Sequence, residues 1–155
     1  MIRPTTGDLL AVKLNNRYYF ALVLSKIKLF GGHFVYVFHK TSEQLLPPEE
    51  LLNNNPPGFH DFVDFNWSNR EGRLDRIATK QNIQPFETIT RLKATNTIKG
   101  KATLWFIYDM SFKEIKKTSS LSSQEKAYPL FHRIDDYLMC KRIDQAWLPE
   151  KDPRI

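Results

Sequence analysis

Three consecutive runs near the start of the chain alternate apolar and polar side chains. They cover residues 7–14, 18–24 and 34–38. A period of two is typical of half-buried strands. Asn15 and Asn16 between the first two runs suit a tight hairpin because asparagine tolerates positive φ, and Gly31 and Gly32 mark the next reversal. The pattern predicts a three-stranded antiparallel meander.

The middle of the chain predicts further strands and one short helix. A helix near Pro47 fits because proline and acidic residues suit a first helical turn. Residues 59–67 alternate again and predict a fourth strand, residues 86–92 predict another, and residues 95–101 predict a turn. Residues 102–109 are apolar on both faces, which is typical of a central strand covered on both sides.

The C-terminal third predicts helix. Ser122 and Glu125 have the spacing of a capping box. From Pro129 onward, apolar residues recur with a helical period and predict an amphipathic helix of about four turns that covers the sheet. The stripe consists of Leu130, Ile134, Tyr137 and Leu138. The predicted fold class is α+β, with a strongly curved, mostly antiparallel sheet under this helix, in one domain over residues 1–148 and a frayed tail over residues 149–155.

Length and cysteine content favour a cytoplasmic domain. A chain of 155 residues buries enough surface to fold without disulfides or bound metal ions. Cys140 is the single cysteine and has no partner for an internal bridge, which is typical of a core thiol in a reducing compartment. No apolar stretch approaches the roughly 20 residues that cross a bilayer, and the N-terminus lacks a signal-peptide pattern. We therefore expect no membrane partner.

Positive charge is concentrated in residues 91–117. This segment has seven basic and two acidic residues, so it carries +5 of the net +6. One interpretation is a surface for nucleic acid or for an acidic protein. The other is a set of solvated strand edges, where lysine blocks unwanted pairing.

No constellation in the sequence predicts catalysis, a cofactor or a metal. His60 and Asp64 are four residues apart in a predicted strand, where their side chains are too far apart to share an ion. Asp135 and Asp136 are adjacent in a predicted helix and diverge by about 100 degrees. We therefore predict no catalytic residues, no cofactor and no metal site.

Several segments together resemble the immunity protein 26 family of bacterial polymorphic toxin systems. Residues 7–14 and 18–24 are similar to its start, residues 85–86 and 105–109 to its middle, and a C-terminal helix follows. The resemblance implies a cytoplasmic antitoxin that binds and neutralises a cognate toxin, often a nuclease. This chain is basic, whereas a mimic of nucleic acid should be acidic. Three readings remain: the toxin is not a nuclease, a local acidic patch inhibits it, or the bound surface is not its substrate groove.

The first 40 residues also resemble the barrel of MazF-like toxins. The resemblance implies an SH3-like barrel in the N-terminal half and, in that family, an endoribonuclease. An Arg-Pro pair precedes the second apolar run in those toxins, and this chain has Tyr19 and Phe20 there. The catalytic arginine of the family is therefore missing.

We thus expect a binding protein of the immunity type, whose partner is a toxin protein encoded by the adjacent gene. The alternatives are a basic nucleic-acid-binding module and a MazF-like endoribonuclease. The predicted partner contacts are polar or aromatic groups on loops and edges, namely Tyr18, Asp61, Asp64, Lys99 and Lys101.

Overall fold

A computed structural model describes all 155 residues and contains nine strands and four α-helices. The strands are β1 Leu9–Leu14, β2 Arg17–Lys26, β3 His33–Ser42, β4 Gly58–Asp64, β5 Leu74–Ala78, β6 Arg91–Ile98, β7 Lys101–Asp109, β8 Glu114–Thr118 and β9 Arg133–Asp135. The helices are α1 Pro48–Leu52, α2 Asn66–Arg70, α3 Ser123–Lys126 and α4 Asp136–Asp144, with 3₁₀ turns at Gln84–Phe86 and Pro149–Lys151. None of the helices is long and apolar enough to span a bilayer.

The strands form two sheets. The main sheet has six strands in the order β5-β1-β2-β3-β4-β9, and the small sheet has the order β6-β7-β8. All pairings are antiparallel except that of β4 with β9. The α+β class with mostly antiparallel sheets is therefore confirmed. The SH3-like barrel is wrong, because the main sheet stays open, with β5 and β9 at its two edges.

The predicted meander is confirmed as β1, β2 and β3. Asn15 and Asn16 have φ values of 51° and 60°, so both central residues of the β1–β2 turn are left-handed, as a type I′ hairpin requires. Glycine is required at position 32 for two reasons. Its φ of 77° is left-handed, and a Cβ there would lie 2.9 Å from the carbonyl oxygen of Val63. Turn chemistry thus places these strands side by side.

The main sheet is buried on both faces, whereas the sequence predicted half-buried strands. Leu10 and Val12 of β1 face a core that includes Met139 and Cys140 of α4. Leu9, on the opposite face of the same strand, belongs to a second core. Helix α4 covers the first face. The small sheet covers the second face, together with the loops that carry Phe30, Phe86, Phe112 and Phe131. A sheet covered on both sides can remain open because neither face meets water.

The C-terminal helix is shorter than predicted and presents a different face. It starts at Asp136, where the Asp135 side chain accepts a hydrogen bond from the amide of Leu138. Of the predicted stripe, Leu130 pairs with Lys93 in an isolated bridge and Ile134 lies in β9. Tyr137 and Leu138 are 41% and 38% exposed, and the buried residues of α4 are Asp136, Met139, Cys140 and Ile143. The predicted four-turn helix is therefore wrong. The cap at Asp135 makes the helix begin later, and the face that it buries is not the predicted apolar stripe.

Strand boundaries in the middle of the chain also differ from the prediction. β4 ends at Asp64, whose carboxylate accepts from the amide of Asn66, the first residue of α2. The strand predicted over residues 86–92 begins at Arg91 and runs to Ile98, so the turn narrows to Lys99 and Gly100. The capping box at Ser122 and Glu125 is as predicted. β7 is the central strand of the small sheet, as predicted, but the predicted covering of both its faces is wrong, because only Trp105 and Ile107 are buried.

The tail predicted to fray is packed against the small sheet. Lys93 Nζ donates to the carbonyl oxygen of Pro149 at 2.7 Å and also to that of Lys126. Asp152 is only 6% exposed and accepts from Arg154 at 2.6 and 2.9 Å. A buried lysine needs such acceptors, so the tail supplies part of the core instead of fraying.

Candidate interaction face

The small sheet has one covered face. Trp105 and Ile107 of β7 are 3% and 2% exposed, and they pack against Leu121 and Leu130. Lys93 lies directly opposite Ile107 on β6 and is fully buried on the same side. Burial lowers the pKa of Lys93 to about 8, although the carboxylates of Asp152 and Glu150 act in the opposite direction. This face of the small sheet is therefore packed inside the protein and is closed to a partner.

The opposite face of the small sheet is covered only at one end. There, Leu92 is fully buried in the second core of the main sheet, and the Tyr108 ring lies 5.1 Å from that of Phe131. These contacts anchor the sheet. Toward the β6–β7 turn the covering stops, so the far end of the hairpin presents its side chains to solvent.

We call this uncovered region the open face. It consists of Ala94, Ile98, Leu104 and Phe106, with Lys101 and Lys117 at its margin. Ile115 is exposed on the neighbouring edge strand β8, at the bulge between Glu114 and Lys116. The register places Ala94 opposite Phe106, and Phe106 opposite Lys117. Ile98 is 63% and Ile115 is 47% exposed, while Leu104 and Phe106 are half-buried. Exposed apolar side chains gathered on one face are typical of interaction sites.

Lysines surround the open face. Lys117 Nζ lies 5.8 Å from the centre of the Phe106 ring and 3.8 Å from a carboxylate oxygen of Glu114. Lys99 and Lys101 are exposed in the hairpin turn and make no ion pair. The face therefore combines an apolar centre with a positive rim.

Part of the basic segment serves the fold instead. Lys93 is buried, and Lys116 Nζ donates to Glu125 of the capping box at 2.8 Å. That hydrogen bond is the main reason why the pKa of Glu125 is lowered. Exposed Lys116 on edge strand β8 fits the second interpretation, whereas buried Lys93 fits neither. Of the unpaired lysines, Lys99 and Lys101 lie at the β6–β7 end of the sheet and Lys113 lies in the β7–β8 turn.

The structure brings together only two of the five predicted contact residues. Lys99 lies in the β6–β7 turn and Lys101 is the first residue of β7, both beside the open face. Tyr18 is half-buried at the start of β2, with Lys13 Nζ 5.6 Å from its ring centre. Asp64 is half-buried at the end of β4, 3.7 Å from Arg133. These residues lie on the main sheet and not on the open face.

Asp61 was predicted to be exposed, and this is wrong. Its side chain is 1% exposed on the face of β4 that α4 covers, where it forms an ion pair with Arg142. Burial raises the pKa of Asp61 to about 6, against the opposing effects of Arg142 and of the Phe62 amide, which donates at 2.9 Å. The charge is thus part of the core, and no partner can reach it.

Sequence reasoning missed the apolar part of the open face. Ile98 was assigned to a turn, and Phe106 to a strand buried on both sides. Ile115 stands alone among charged residues in Glu114–Thr118, which is a weak sign of an apolar side chain on an edge strand. Ile98 is exposed because the β6–β7 hairpin extends beyond its supports, and Ile115 because β8 is an edge strand, and only the tertiary structure reveals both.

Comparison with known proteins identifies no relatives. No family model matches the chain, and no curated protein or solved structure matches it significantly.

Proposed function

We propose that the protein is an immunity-type antitoxin that binds and neutralises a cognate toxin by direct contact through the open face. The observation that carries the proposal is the open face itself: apolar side chains on an anchored sheet, bordered by Lys117 and by Lys99 and Lys101, which make no ion pair. The order of the segments that resemble the immunity protein 26 family supports the same function. The proposal needs no bond-making residues, only a stable surface of defined shape.

The chemistry of the open face favours an acidic protein partner. Apolar and aromatic side chains supply interface energy at the centre, and charged residues at the rim steer the encounter. Lys99, Lys101 and Lys117 would meet carboxylates on the partner. A groove that binds nucleic acid is basic, so an acidic contact surface lies elsewhere on a nuclease toxin, or the toxin is of another class.

The test is co-purification with the product of the adjacent gene, using the wild type and an Ile98→Asp/Ile115→Asp variant. One carboxylate at the hairpin tip of the open face and one on the neighbouring edge strand would repel an acidic partner and remain hydrated. We expect affinity to fall by at least about tenfold, the loss produced by roughly 1.4 kcal/mol.

Leu138→Asp is the matched control, because Leu138 is 38% exposed on α4, across the main sheet from the small sheet. This variant should bind as the wild type does. No complex with the wild type, or equal losses in the two variants, would contradict the proposal.

Nucleic-acid binding is a second candidate, favoured by the half-buried Phe106 ring next to Lys117. Aromatic rings on a basic strand surface stack single-stranded bases. This function predicts that log affinity for single-stranded RNA falls with log salt by about 0.7 for each phosphate contact. Binding that is absent or independent of salt would exclude it.

A further inference from the structure

A second polar site lies between the C-terminal segment and α4, away from the open face. It is an open cavity of about 270 Å³, lined by Leu130, His132, Arg142, Trp147, Asp152, Pro153 and Arg154. Two guanidinium groups and one imidazole therefore border the same space. Such a combination of donors is suited to an anion with several oxygen atoms.

Each arginine is held in place by a buried carboxylate. Arg154 donates through Nε and Nη2 to Asp152 at 2.9 and 2.6 Å. Arg142 donates through Nη1 to Asp61, and its guanidinium lies 4.1 Å from the centre of the Trp147 ring. Arg154 Nη1 and Arg142 Nε and Nη2 have no acceptor within the protein. The donors are thus fixed in position while some of their N–H groups remain unused.

Around the His132 ring the cations outnumber the carboxylates that act on it, although Arg142 and Arg154 are each paired with an aspartate. Partial desolvation is the largest cause of the lowered pKa of His132, and Arg142, Arg154 and Arg133 lower it further. Asp152 is the one carboxylate that opposes them at this ring. Glu150 is exposed and acts on Lys93, which lies behind the tail. Because Asp61 and Asp152 already balance the charges of Arg142 and Arg154, an anion in the cavity would bind through the unused N–H groups of these arginines.

We propose that this cavity binds an oxyanion of the phosphate or sulfate class, held by Arg142 and Arg154 with His132 at its mouth. The site is independent of the open face and of the proposed antitoxin function. A phosphate ester and a free oxyanion share this chemistry. Competition of phosphoserine and of inorganic phosphate against bound sulfate would distinguish them, because only an ester site would prefer phosphoserine.

The test is sulfate binding followed by NMR at constant ionic strength, with chloride as the background salt. Arg154→Gln should weaken sulfate binding by about tenfold or more, as expected when charge-assisted hydrogen bonds are lost. Arg133→Gln is the control, because Arg133 adds to the same field but does not line the cavity. It should change the affinity by less than about threefold, since screening weakens distant exposed charges.

A second variant tests the role of the imidazole. Sulfate keeps its charge between pH 5 and 8, so binding should tighten as the pH falls through the pKa of His132, below its ordinary 6.5. Because the bound anion favours the protonated ring, His132→Gln should weaken that dependence while leaving the fold intact, since His132 is exposed. The dependence that remains comes from Asp61, which pairs with Arg142 and whose pKa burial raises to about 6. Absence of sulfate binding by the wild type, or equal losses in Arg154→Gln and Arg133→Gln, would overturn the proposal.

Discussion

Replacing Arg142 with methionine is expected to lower the free energy of unfolding by about 3–5 kcal/mol at pH 7, the usual effect of removing one partner from a buried ion pair. Asp61 is 1% exposed and Arg142 12% exposed, and methionine would fill most of the space between Asp61 and the cavity, so the carboxylate would lose its partner without becoming fully hydrated. Methionine preserves much of the side-chain volume against Trp147. The loss therefore reports mainly an unpaired buried carboxylate, and urea unfolding measures it.

The pH dependence of this variant has a defined sign. In the wild type the pKa of Asp61 rises from 3.8 in the unfolded chain to about 6 in the folded protein. The folded state then binds the proton more tightly, so this group reduces stability as pH rises between those values. Without Arg142 the folded pKa should rise further. We expect the deficit of Arg142→Met to shrink as the pH is lowered from 7 to 5.

The matched control removes both charges. Asp61→Asn combined with Arg142→Met keeps an acceptor for the Phe62 amide and leaves no buried charge, so it should recover most of the stability lost in the single variant. A single variant as stable as the wild type at pH 7, or a double variant no better than the single one, would contradict the buried pair.

Replacing Phe62 with alanine is the second change with a large expected effect, a loss of about 3–5 kcal/mol of stability. Phe62 is fully buried at the centre of an aromatic cluster on the second face of the main sheet. Its ring centre lies 4.8 to 6.3 Å from those of Phe30, Phe34, Phe112 and Phe131. Removal leaves a cavity among groups from four separate segments, and these cannot all collapse into it.

Phe106→Ala is the control for that measurement, because Phe106 lies half-buried on the open face. Solvent can fill the space, so we expect a loss below about 1 kcal/mol. Equal losses for the two phenylalanines in urea unfolding would mean either that the open face is covered or that the aromatic cluster is not packed.

Local signals in the sequence predicted the meander, the first helix, the capping box and strand β7. Each depends on neighbours in the chain: two asparagines in a turn, a proline before Glu49 and Glu50, a serine three residues before Glu125. These features keep their local meaning in any tertiary context. They account for the α+β class and for most of the first three strands.

The features that the sequence did not predict depend on tertiary contacts. Asp61 looked like a surface residue because its neighbour in the fold, Arg142, lies 81 residues away. The tail has the composition of a frayed end, but Lys93 requires its carbonyl groups. The apolar stripe from Leu130 to Leu138 has a helical period, yet β9 takes Ile134 into the sheet. The exposure of the open face likewise depends on tertiary structure, because the second core covers Leu92 and Tyr108 but does not reach the β6–β7 turn.

The most direct test of binding through the open face is the isoleucine methyl NMR spectrum of the protein before and after addition of the adjacent gene's product. We predict that the methyl signals of Ile98 and Ile115 shift or broaden, because both side chains become buried at the contact. Those of Ile2 and Ile143, which pack on the face of the main sheet covered by α4, should stay in place. Changes confined to Ile2 and Ile143, with Ile98 and Ile115 unaffected, would contradict the account.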